Sequence, residues 1–275
     1  MIPSLRIKGR GYLSLLGPLV LFWCVPAALA EPSTEEVIAK AREYLGGDEA
    51  LDAVQSIYYR GTFESGDGRV GEIEIIFKKP LFQRVKTVMD DLEEVTALSY
   101  YDGWRKVTQR GNDSNWTIVF LDADQIRELQ ANTWENLNFF KNIERRRGRI
   151  ENHGLVNFEG ESAVKLTFRH PGNIHFDRYF DPQSGRLLMT EASSGGQIRE
   201  QGENRVDGIL FPESITMSQE DDVRNRIQFE EIEVNREFDD DKFDVPSMAP
   251  DASGRLPQPA EEDLMDIPPA VPEQP

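Results

Sequence analysis

AVKLTFR (163–169), IHFDRYF (174–180), LLMTEA (187–192), IREQGE (198–203), ILFPESITM (209–217) and VRNRIQFEEIEV (223–234) follow one another with little but turn residues between them. Segments this short, bounded by Pro-Gly-Asn, Asp-Pro-Gln-Ser-Gly and Val-Asp-Gly, read as the strands of an antiparallel meander, because such loops leave consecutive strands no other neighbour. Pro182 presets a type I turn, and Gly185 can close it in the left-handed conformation. Val164, Leu166 and Phe168 share one face, and Lys165, Thr167 and Arg169 the other. Ile227, Phe229, Ile232 and Val234 repeat the pattern with a slip that predicts a bulge between Phe229 and Ile232. In 174–180 the register sets Arg178 on the apolar face.

The same logic extends towards the N-terminus. Strands are expected at 57–63, 71–78, 82–89, 95–101 and 105–108, with Ile73, Ile75 and Phe77 on one face and a hairpin turn at Asp102-Gly103. Ser33 with Glu36 forms a capping-box signature ahead of Val37, Ile38, Ala41, Tyr44 and Leu45, a helix that Gly46-Gly47 stops. Asp48 is expected to cap a second short helix running to Val54. Between the strand sets, residues 122–146 carry Ile126, Leu129, Trp134, Leu137, Phe140 and Ile143 at helical spacing, read as two helices with the second starting near Asn132 or Thr133. The fold class is therefore mainly β. Ten or eleven strands must curl strongly, which predicts an incomplete antiparallel barrel wrapped over helices.

Both ends differ from this core. Arg6, Lys8 and Arg10, an apolar 12–25 and Ala28-Leu29-Ala30 describe residues 1–30 as a cleavable signal peptide, with the folded domain at 31–246 and export to the periplasm. Cys24 is the single cysteine and lies inside that signal, so neither thiol nor disulfide chemistry is available afterwards. Residues 247–275, proline-rich and acidic, read as a disordered tail. The formal charge of −18 becomes −21 without the three signal-peptide cations, which argues against nucleic acid and against an anionic bilayer surface as partners. The apolar stretch of the signal is too short for an integral membrane anchor.

No nucleotide loop, zinc spacing or nucleophile elbow is present. His170 and His175 could meet across a turn near Asp177, a loose match to any metal geometry, so neither a metal nor another cofactor is expected. The carboxylate runs 230–231 and 239–241 look solvated. The chain reads as a binding protein and not an enzyme.

In order along the chain, the N-terminal helix, Phe77-Lys78-Lys79-Pro80, Tyr101-Asp102-Gly103, Asp181-Pro182 with Gly185 and Leu187, Val206-Asp207-Gly208 with Phe211-Pro212, and Phe243-Asp244-Val245-Pro246 resemble the LolA-like family of periplasmic lipoprotein-sorting proteins, which shares its fold with the sensor family typified by RseB. The resemblance implies a half-barrel whose concave face, closed by helices, holds acyl chains of a lipid or lipoprotein that an envelope donor or acceptor protein would exchange. It assigns the cavity to Ile73, Ile75, Phe77, Val85, Trp134, Leu137, Phe140, Leu166, Phe168 and Met189. In the family an arginine before the proline helps hold the lid; here the candidate lid contact at that position is Lys79, a point charge without the planar fork, so the resemblance does not carry over the same latch. The alternative is an RseB-like envelope sensor that binds a protein partner without carrying lipid.

Overall fold

Strand alternation organises the chain into one large sheet, seen in a computed structural model that describes residues 31–112, 115–219 and 222–246. The signal peptide and the tail expected at 1–30 and 247–275 lie outside the described residues. Two helices open the domain, α1 (Thr34–Leu45) and α2 (Asp48–Asp52). Six strands follow: β1 (Ser56–Ser65), β2 (Val70–Lys78), β3 (Phe82–Met89), β4 (Leu92–Ser99), β5 (Asp102–Gln109) and β6 (Trp116–Phe120). After helix α3 (Ala123–Asn138) come β7 (Arg149–Phe158), β8 (Glu161–Arg169), β9 (His175–Phe180), β10 (Leu187–Ala192) and β11 (Gly196–Gln201). The last four are β12 (Asn204–Val206), β13 (Ile209–Phe211), β14 (Ser214–Gln219) and β15 (Asp222–Val234).

Thirteen strands form one antiparallel sheet in the order β6-β5-β4-β3-β2-β1-β15-β14-β11-β10-β9-β8-β7, which does not close. Its two edges, β6 and β7, are consecutive strands of the chain. The chain must therefore travel from one edge to the other, and α3, roughly 24 Å long for 16 residues, makes that journey. A twist of about 20–25° per strand pair accumulates into strong curvature over so many strands, and the helices fill the concave side. The expected incomplete barrel over helices is the fold observed, with more strands than were read. The four additional ones are β6, β7, β12 and the strand gained where Pro212-Glu213 divides 209–217 into β13, paired with β12, and β14.

Local readings hold in several places. Ser33 and Glu36 form the capping box of α1, and Asp122 and Gln125 form one at α3. The bulge falls where expected, since Arg60 pairs with Glu231 and Gly61 with Phe229, leaving Glu230 unmatched. Gly185 has φ of +79° and sits so near α1 that a Cβ would lie 2.6 Å from the Lys40 backbone.

Others are corrected. Residues 122–146 make one helix and a single 3-10 turn (Ile143–Arg146), because the Thr133 hydroxyl donates back to Leu129 O (2.7 Å) and nothing interrupts the helix until Phe139 and Phe140 adopt positive φ. The cap of α2 is Gly47, since the Asp48 carboxylate is engaged by Arg42 and Lys141. The β4–β5 turn is Tyr100-Tyr101, because Ser99 pairs with Asp102. Gly103 lies within β5, where a Cβ would come to 3.0 Å from Leu121 and Ile126.

Residues beyond β15 cross the outer face of the sheet. Phe243 packs with Tyr58, Ile76 and Phe82, Val245 packs against Val95, Ala97 and Trp104, and Trp104 Nε1 donates to Phe243 O (3.0 Å). This covering segment gives the closing Phe-Asp-Val-Pro motif a physical role: it dries an outer patch that would otherwise be exposed. Among the described residues no helix is long and apolar enough to cross a membrane.

Candidate functional site

The concave face is plugged unevenly. Under α1, Val37, Ile38 and Ala41 pack with Phe140, Ile143, Val164, Leu166, Phe168 and Phe180 into a closed core. On the β1–β3 side, between α3 and the floor made by β1, β2, β3, β11, β14 and β15, an open cavity of about 330 Å³ remains. That volume is at the lower end of small-molecule pockets. Its floor is apolar and aromatic, with Tyr59, Ile75, Phe77, Val85, Ile198, Met217, Ile227 and Phe229 among the lining side chains.

The roof differs from the greasy lid the sequence suggested. Helix α3 turns Asn132, Glu135 and Asn136 into the cavity, while its apolar contribution is confined to the end of the helix, at Phe139 and Phe140. Polar bonds seat it on the sheet: Gln130 Nε2 donates to Tyr100 O (2.7 Å), and Asn132 Nδ2 donates to Gln83 Oε1 (3.2 Å).

Of the ten residues assigned to the cavity, Ile75, Phe77, Val85 and Phe140 line it together. Leu166 and Phe168 belong to the closed core beneath α1, Leu137 packs with Leu51, Val54 and Ile57, and Ile73 and Met189 are buried away from the space. Trp134 is half-buried outside the cavity with the Arg146 guanidinium 5.8 Å from its ring centre. Alternation places a side chain on the concave face, but does not reveal whether a helix is pressed against it.

Arg178 is on the apolar face, as its register predicts. Its guanidinium lies 4.7 Å from the Phe168 ring centre and 5.0 Å from that of Phe140, and one Nη donates to Glu135 Oε2. Both side chains are more than nine-tenths buried. Burial opposes the Glu135 charge, but Arg178 and then His170 outweigh it and hold the carboxyl below its usual range. An ionised Glu135 can only accept, so His170 Nε2–H donates to Oε1 (2.7 Å). His170 is thus a structural partner of α3, and among the described residues no cluster of His, Cys, Asp and Glu is placed to hold a metal.

Lys79, the candidate lid contact, makes no side-chain hydrogen bond among the described residues. It is half-buried, and desolvation lowers its pKa against the pull of Asp52. The hold on α3 comes from Arg42 instead. Fully buried, Arg42 donates to Phe139 O (2.9 Å) and Asn138 O (3.3 Å) at the end of the helix and to Asp48 and Asp52. Its planar fork satisfies terminal carbonyls and acidic partners at once, which an ammonium could not do in the same geometry. The signal available in sequence was only an arginine four residues after Ile38, ahead of two aspartates.

No protein-family model matches the sequence, and no curated protein does. Solved structures do resemble the fold. A LolA superfamily protein from Nitrosomonas europaea superposes with a TM-score of 0.51 at 11% identity, over 78% of this chain and 99% of that one. A DUF1329 family protein from Desulfovibrio piger ATCC 29098 superposes with a TM-score of 0.50 at 9% identity, over 80% and 98%. The fold is LolA-like.

Proposed function

We propose that the chain is an exported, non-enzymatic binding protein that shields an apolar chain of a lipid or lipoprotein in the cavity beneath α3. The observation that carries this reading is the unfilled, largely apolar space itself, in a sheet whose other half is packed shut by α1. The proposed contacts are Ile75, Phe77, Val85 and Phe140, with Ile227 and Phe229 from β15. Burying roughly eight methylenes would contribute about 6 kcal/mol before the cost of association, enough for a useful carrier but weak enough for release.

The LolA-like fold is consistent with this role, and the leader-like residues 1–30 with a periplasmic setting. Envelope proteins would then load and unload the ligand. Helix α3 is the element that has to yield, and Arg42 is the side chain that holds its end. Titration with a neutral, environment-sensitive alkyl probe tests the reading. Saturable binding to one site, displaced by an uncharged lipid, is the expected result, and no binding at any concentration below probe aggregation would count against it.

A further inference from the structure

Two carboxylates stand on the cavity wall, and only one of them is paired. Glu135 is held by Arg178 and His170, whereas the Glu200 side chain forms no hydrogen bond or ion pair among the described residues. Strand β11 places Glu200 on the same face as Ile198, opposite Ile215, which in turn is opposite Ile227. A carboxylate therefore ends an apolar row. Glu200 is accessible because it faces the cavity, yet enough protein surrounds it that burial pushes its carboxyl pKa up, against the pull of Arg178.

The surroundings of Glu200 add negative character. Tyr59 has the rings of Phe229 at 4.8 Å, Phe211 at 6.0 Å and Phe77 at 6.5 Å, and all four line the cavity. Burial first, and the Glu200 charge second, raise the pKa of the Tyr59 hydroxyl. Tyr44, also on the wall, donates to Glu203 Oε1 (2.6 Å), and its pKa is raised to about 12 by burial, by that bond and by the charges of Glu203 and Glu200, with Arg186 acting the other way. Of the cations nearby, Arg178 donates to Glu135 through one Nη, while its buried Nε has no hydrogen-bond partner among the described residues.

We propose that this end of the cavity takes the protonated amine of a cationic amphiphile, whose alkyl chain lies along the Ile75, Val85 and Ile227 floor. An ammonium would supply the partner that Glu200 lacks and gain from nearby aromatic faces. A ligand carboxylate would meet Glu200 and the same ring faces with like charge. The inference deepens the cavity reading and rests on it.

Calorimetric titration of the full chain with dodecylamine, dodecanol and dodecanoate, each below its micelle threshold, separates the two. The amine should bind at least about 10-fold more tightly than the alcohol, the scale of one charged hydrogen bond, and dodecanoate should bind weakest. Glu200→Gln should remove the amine's advantage while leaving dodecanol binding unchanged, which also shows that the variant folds. If dodecanol binds and the amine binds no better, or if its advantage survives Glu200→Gln, the inference is overturned and the cavity reading stands. Binding of none of the three overturns both.

Discussion

Glu135→Gln is expected to lower the free energy of unfolding by about 3–5 kcal/mol, because it leaves the Arg178 guanidinium buried among phenylalanine rings without a counter-charge. The amide keeps the size of the side chain, so the loss is electrostatic and not steric. Replacing both partners, Glu135→Gln with Arg178→Met, should recover part of it, since a buried ion pair is costly mainly when half of it is removed. Urea melts of the three variants measure this directly. The pH dependence has a defined sign. The folded-state pKa of Glu135 is held below the ordinary value of 4.5, so its contribution is present above that value and is lost as pH falls through the folded-state pKa. The gap between wild type and Glu135→Gln should therefore narrow on acidification, and a gap that widened in acid would show that Glu135 is protonated in the folded protein.

Val85→Trp is expected to reduce neutral-probe affinity at least 10-fold, roughly the value of two lost methylene contacts, while changing stability by less than about 1 kcal/mol. The reason is geometric. Val85 is half-buried and faces the open volume, so a larger ring can enter existing space, whereas the same enlargement in a filled core costs about 1–3 kcal/mol. The paired control is Leu166→Trp in the packed region beneath α1, where the ring has no space to enter and destabilisation is expected instead. Unchanged probe binding in a folded Val85→Trp protein would place the ligand elsewhere.

How far the sequence could be read follows from which interactions are local. Antiparallel pairing was legible because period-two alternation and turn residues act between neighbours in the chain, as at Asp181–Gly185 and Val206–Gly208. Strand β7 escaped because its alternation is interrupted between Asn152 and Leu155, where the register shifts, and β6 is only five residues long. The cavity was legible only in part. Ile75 and Leu166 carry the same signature, an apolar residue on the concave face, and differ in what non-local helix covers them. Arg178 could be recognised as an anomaly, but Glu135, 43 positions away, could not be recognised as its answer. Arg42 was hidden for the same reason, since the carbonyls it binds lie 96 and 97 residues along the chain.

Native mass spectrometry of the chain, purified without detergent, tests directly whether the space beneath α3 is a ligand site. The account predicts the folded chain carrying a small apolar adduct in one-to-one ratio, or acquiring one on incubation with a neutral lipid, and losing it on denaturation. A folded chain that stays at its bare mass under both conditions would contradict it.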